Sequence, residues 1–72
     1  EANEITLRLR YTCAVALARA DGATLDDLRE AVTTLEETER IARRVLGGAH
    51  PLTAQIEQSL QDARGVLRLR TQ

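Results

Sequence analysis

His50 is the single histidine of the 72-residue chain and stands directly before Pro51, where an imidazole could act as a general base or a metal ligand. Either role needs company. A structural or catalytic metal takes about three or four His, Cys or carboxylate ligands, and a base needs a nucleophile or an orienting group within reach. The sequence has no second His and no cysteine pair, so His50 is expected at a helix start, capping or packing. Asp26-Asp27 and Glu36-Glu37-Glu39 are the carboxylate clusters. Acid–base work by paired carboxylates requires two groups aimed at one site in environments that split their pKa values. Adjacent residues on a helix point apart, so these clusters read as solvated surface and as complement to a helix dipole. Gly47-Gly48 has neither the strand before it nor the Lys after it that a phosphate-binding loop requires, and reads as a helix-ending turn. Cys13 is the lone cysteine, within an apolar stretch and with no His at helical spacing to lower its pKa; it is expected to be a small core residue. No catalytic activity, metal or cofactor is expected.

The elements that would position these residues are helices. Of the chain, 43% is hydrophobic but Tyr11 is the only aromatic residue, so a core must come from Leu, Ile, Val and Ala. Strand-rich domains draw on aromatic and β-branched residues and on frequent turn clusters, whereas Gly and Pro here total five. Two breaks, Asp21-Gly22 and Gly47-Gly48-Ala49-His50-Pro51, separate three periodic segments, at about residues 4–20, 25–46 and 51–70. The expected fold is all-α, with three antiparallel helices.

The middle segment carries Leu25, Leu28, Val32, Leu35, Ile41/Ala42 and Val45/Leu46 at three- and four-residue steps, with charged and polar residues between them. Thr24 is a fitting N-cap, Asp26 and Asp27 occupy the first turn, and Arg43 and Arg44 the last, as the helix dipole favours. Glu36/Arg40 and Glu39/Arg43 are spaced for pairs worth roughly 0.2–0.5 kcal/mol each. Gly47 follows as a C′ residue. The third segment opens on Pro51 at the first helical position and continues through Leu52, Ile56, Leu60, Ala63 and Leu67. Gly65 inside it marks either a weak last stretch or a close helix crossing. The first segment is ambiguous over Glu4–Tyr11, which alternates as a strand would, but its Ala-rich continuation favours a helix. That helix has two apolar faces, Ile5, Leu9, Cys13, Ala16, Ala20 and Leu7, Tyr11, Ala14, Ala18, as an inner helix of a stack would.

The run Val45-Leu46-Gly47-Gly48-Ala49-His50-Pro51-Leu52-Thr53 resembles the V-L-G-x-x-H-P-x-T junction between tetratricopeptide repeats of the kinesin light chain type. Counting back, Leu28-Arg29-Glu30-Ala31 matches the Y-x-E-A segment that opens a second helix, Leu35 the large apolar position, and Gly22 the glycine after a first helix. The chain differs in about one extra turn between Gly22 and Leu28, in Thr38 where a small Ala is usual, and in Gln58-Ser59 where the family carries paired Asn. The resemblance implies about one and a half repeats of a right-handed helical-hairpin array whose first helices face a peptide-binding groove, the alternative being a plain three-helix bundle. The apolar stripes leave Arg8, Tyr11, Thr12, Gln55, Gln58 and Asp62 beside the second helix, on that first-helix face. Both end segments read as helices, so a piece of a longer array is expected.

Ten Arg, no Lys and eleven acidic residues give a formal net charge of −1, without the footprint of a nucleic-acid or anionic-membrane binder. Arg8, Arg10, Arg19, Arg64, Arg68 and Arg70 form at most a basic strip for an acidic peptide; the plainer reading is a balanced wet surface. No apolar run approaches the ~20 residues that span a bilayer. The expectations are therefore a cytoplasmic protein-interaction module whose partner is a protein, a peptide or its own neighbouring repeats, or a self-associating homo-oligomer. Burial of Leu7, Tyr11, Leu67 and Leu69 within one chain separates the two.

Overall fold

The segment Leu25–Val45, α2, buries Leu28, Ala31, Val32, Leu35, Thr38 and Ala42, a set spaced three and four residues apart that forms one continuous face. Its start is held at both ends of a reciprocal bond. Thr24 Oγ1 accepts from the Asp27 amide at 3.1 Å and Asp27 Oδ2 accepts from the Thr24 amide at 3.1 Å, two amides that a helix start would otherwise leave unpaired. Its end turns at Gly47, whose φ of +90° is open to glycine, while the Leu46 and Gly47 amides donate to the Ala42 and Arg43 carbonyls. Thr38 is buried on this face, and its hydroxyl donates to the Thr34 carbonyl at 2.6 Å, one turn back.

The computed structural model describes residues 3–71 and places two further helices around α2, Glu4–Arg19 as α1 and Pro51–Thr71 as α3. The strand-like alternation of Glu4–Tyr11 is overridden. Asn3 Oδ1 accepts from the Thr6 amide at 2.9 Å and starts the helix there, a cap signal visible one residue ahead of the ambiguous stretch. At the start of α3, His50 Nδ1 accepts from the Leu52 amide at 3.0 Å and the His50 carbonyl accepts from Ala54 at 3.1 Å, the helix-start role its place before Pro51 suggests. Accepting at Nδ1 leaves the imidazole proton on Nε2 in the neutral form.

α1 and α3 each pack chiefly on α2 and touch one another at few places. They run in the same direction: Glu4 at the start of α1 lies 3.8 Å from His50 at the start of α3, and Arg70 near the end of α3 donates to the Ala23 carbonyl, at 2.7 Å, in the turn that follows α1. The core joins Leu7 and Ala14 of α1, Val32, Leu35 and Ala42 of α2, and Leu52, Ile56, Leu60 and Ala63 of α3. Each fully buried Leu or Ile among these contributes roughly 1.5–3 kcal/mol of transfer free energy. The fold is thus all-α with three antiparallel helices.

Two expectations, for Cys13 and for Glu36, are overturned, and two points that spacing left open, at Gly65 and Leu69, are decided by the packing. Cys13 is exposed, because only the Leu7/Ala14 face of α1 is covered and the Ile5/Leu9/Cys13 face is turned away from α2. Gly65 is no close crossing, since a Cβ built there meets nothing within 4 Å. Glu36 reaches across to Arg64 of α3 at 2.7 Å instead of pairing with Arg40 along its own helix. Leu7, Tyr11 and Leu67 pack into the core of one chain, but Leu69 is 72% exposed.

Candidate functional site

Two parallel helices lying side by side on a third leave a trough between them wherever their facing side chains are small. Here that trough is walled on α1 by Val15, Ala18 and Arg19 and on α3 by Ser59, Asp62 and Val66. Its floor is Leu28 and Leu35 of α2, with Ala63 at the foot of α3. The space between them is about 110 Å³ and lies open on the outer side. Val15 and Ala18 fall three residues apart on α1, and Ser59, Asp62 and Val66 three and four apart on α3, so each wall is one helical stripe. The small residues Ala18, Ser59 and Ala63 hold the walls open, and the apolar floor makes the trough suited to an apolar side chain with polar groups at its rim.

The electrostatics of the rim are simple: Arg19 stands on one wall and Asp62 on the other. Gln58 Nε2 donates to Asp62 Oδ1 at 3.2 Å, one turn along α3, which orients that carboxylate. Beyond one end of the trough, Ser59 Oγ donates to Tyr11 Oη at 3.3 Å and ties the two walls together.

Of the residues expected on this face, Asp62 lines the trough and Gln58 and Tyr11 touch residues that line it. Arg8 is exposed and bonded to Glu4 at 3.0 Å, one turn back towards the N-terminus, while Thr12 and Gln55 are exposed outside the trough. The walls Val15, Ala18, Arg19, Ser59 and Val66 escaped the sequence reading. A signal for them existed in the spacing Tyr11, Val15, Ala18, which continues the buried side of α1 towards its C-terminal end.

On the opposite side, α2 and α3 are joined by a charged seam. Arg43 bonds both Glu39 and Glu57, the latter at 3.1 Å, and Arg64 bonds Glu36 at 2.7 Å. The hydrogen bond to Glu39, and then the charges of Glu39 and Glu57, hold the Arg43 guanidinium above its ordinary pKa. The six arginines of α1 and α3 do not gather into one strip: Arg8 is taken by Glu4, Arg64 by Glu36 and Arg70 by the Ala23 carbonyl. Among the described residues no three His, Cys, Asp or Glu side chains gather at metal-binding distance, and the acid beside His50 is Glu4. No helix among the described residues is long and apolar enough to cross a membrane.

Comparison with family models, with curated proteins and with solved structures finds no match to this chain, so its functional reading rests on its own residues.

Proposed function

We propose that this chain is a cytoplasmic protein-interaction module, a scaffold fragment of tetratricopeptide-like build, that seats a short segment of another protein in the trough between α1 and α3 and carries no catalytic activity. The observation that supports it best is the trough itself, with an apolar floor of Leu28 and Leu35, walls in which Val15 and Val66 flank the small Ala18 and Ser59, and one Arg and one Asp across the rim. A segment with a single aliphatic side chain as anchor and an acidic residue on its α1 side would match it in shape and charge. The junction Val45–Thr53 and the helix, turn, helix order support the repeat-like build.

Selection of a random-peptide display library on the 72-residue chain tests this. Enriched peptides should share one aliphatic anchor, and Val66→Glu, at a wall residue that is 42% exposed and so dispensable to the core, should weaken their binding at least about 10-fold, the loss expected when a charge is set in an apolar seat. An Asp62→Arg substitution should instead shift the selected charge from basic to acidic on the α3 side. Failure to enrich any peptide, or binding indifferent to Val66→Glu, would sink the proposal.

A further inference from the structure

The charged seam between α2 and α3 borders a second cleft, shallow and open outward, with about 520 Å³ of space. Leu60 lies at its base, and Glu36, Arg40 and Arg44 line it along α2 at steps of four residues, one stripe of that helix. Arg43 and Arg64 complete its sides. The acids of the cleft are already committed. Glu39 and, from α3, Glu57 bond Arg43, and Glu36 bonds Arg64 at 2.7 Å. Arg40 and Arg44 are exposed, and neither makes an ion pair among the described residues. The negative end of the α2 dipole accounts for basic residues in its last turn. That effect fades within a turn and does not reach Arg40, five residues before the helix ends at Val45. With Glu57 counted, four arginines meet three glutamates here, a local excess of one positive charge on a chain whose net charge is −1.

We infer that this cleft binds an acidic segment of a partner protein, an extended stretch whose carboxylates at alternate positions meet Arg40 and Arg44. The spacing fits that occupant. Arg40 and Arg44 stand one helical turn apart, about 5–6 Å between Cβ atoms, and alternate residues on one side of an extended chain are about 6.6 Å apart. Each guanidinium presents parallel donors that match a carboxylate. The bonds from Arg43 to Glu57 and from Arg64 to Glu36 cross between the helices and set the width of the cleft before a ligand arrives, so little has to be ordered on binding. Charge also selects the occupant. A polyphosphate or a nucleic acid is negative at every step and would set charge against Glu36 and Glu39, whereas a peptide with spaced carboxylates passes them with neutral residues. The sides of two helices line the cleft, so no helix N-terminus offers amides to a phosphate, and the one aromatic residue, Tyr11, is on α1 and gives no platform for bases. The cleft shares no residue with the α1/α3 trough and does not depend on what that trough binds.

Fluorescence anisotropy of a labelled peptide of alternating glutamate and serine, titrated with the 72-residue chain, is the test. Binding should be strongest at about 20 mM salt and weaken as salt rises to about 200 mM, because screening shortens the reach of exposed charges. The same peptide with glutamine in place of glutamate should not bind. Arg40→Gln combined with Arg44→Gln should weaken binding about 3–10-fold, the loss expected from two exposed charge pairs, with an unchanged helical circular dichroism spectrum. Arg10→Gln combined with Arg68→Gln removes the same charge from exposed positions outside the cleft and should bind as the parent does. No binding at low salt, equal binding of the glutamine peptide, or an equal loss in the two double variants overturns the inference. So does tighter binding of inorganic triphosphate or of an oligothymidylate than of the acidic peptide, either of which would give the cleft a different occupant.

Discussion

Thr53 lies fully buried in the first turn of α3, and its hydroxyl has no hydrogen-bond partner among the described residues. Thr38, equally buried, gives its hydroxyl to the Thr34 carbonyl. The same substitution at the two sites should therefore act with opposite sign. Val has the shape of Thr, so Thr53→Val keeps the packing, removes the roughly 1–3 kcal/mol cost of a buried, unpaired hydroxyl and adds a methyl group to the apolar interior. Val and Thr have similar helix propensity, so that term nearly cancels. The net expectation is a gain of about 1–2 kcal/mol, which for a domain of this length raises Tm by about 4–8 °C per kcal/mol. Thr38→Val deletes a bond to a carbonyl that also serves the helix ladder, leaves no group unpaired, and should cost about 0–1 kcal/mol. Thermal and urea unfolding followed by circular dichroism on both variants measures the difference directly. An unchanged or lowered stability for Thr53→Val would refute the reasoning, because it would mean that the hydroxyl is hydrogen-bonded in solution, for example to an ordered water.

Gly65→Ala should stabilise by about 0.5–1 kcal/mol, since the site is helical, a Cβ there meets nothing within 4 Å, and Ala restricts the unfolded chain; a loss of stability in the same melts would show a contact at that position. Leu35→Ala removes a side chain only 1% exposed at the centre of α2, with an expected cost of about 2–5 kcal/mol; in so small a chain this should leave the helices largely unfolded at room temperature, and a cooperative melt near the parent Tm would contradict the assigned core. Arg70→Ala deletes the bond from the end of α3 to the Ala23 carbonyl, at a cost of about 0.5–1.5 kcal/mol, and hydrogen exchange should quicken in the last turns of α3 while the middle of α2 stays protected.

The helices were legible because their signals are local. Thr24 with Asp27 at one end and Gly47 at the other bound α2 in the chain itself, and Pro51 after His50 announces α3, so the expected and observed ends agree to within a residue. The buried side of α2 followed from spacing alone, since a helix with one apolar face has one way to turn towards its neighbours. Spacing failed on α1, where two apolar faces of similar width offered no reason to choose. The choice fell to packing: Leu7, Tyr11 and Ala14 lie against the core, and Ile5, Leu9 and Cys13 were left outside. The same holds for the trough. Val15 is separated from Ser59 and Val66 by a long stretch of chain, and only the parallel seating of α1 and α3 on α2 makes them walls of one space. Likewise Glu36 had an i,i+4 partner in sequence and took Arg64 on another helix instead. The amino-acid sequence thus determined, by itself, where the helices begin and end and which side of α2 is dry, because caps and periodicity act within a few residues. Tertiary structure alone decided which face of α1 was buried, which charges met and where a groove opened, because those depend on the competition of surfaces for a limited number of neighbours.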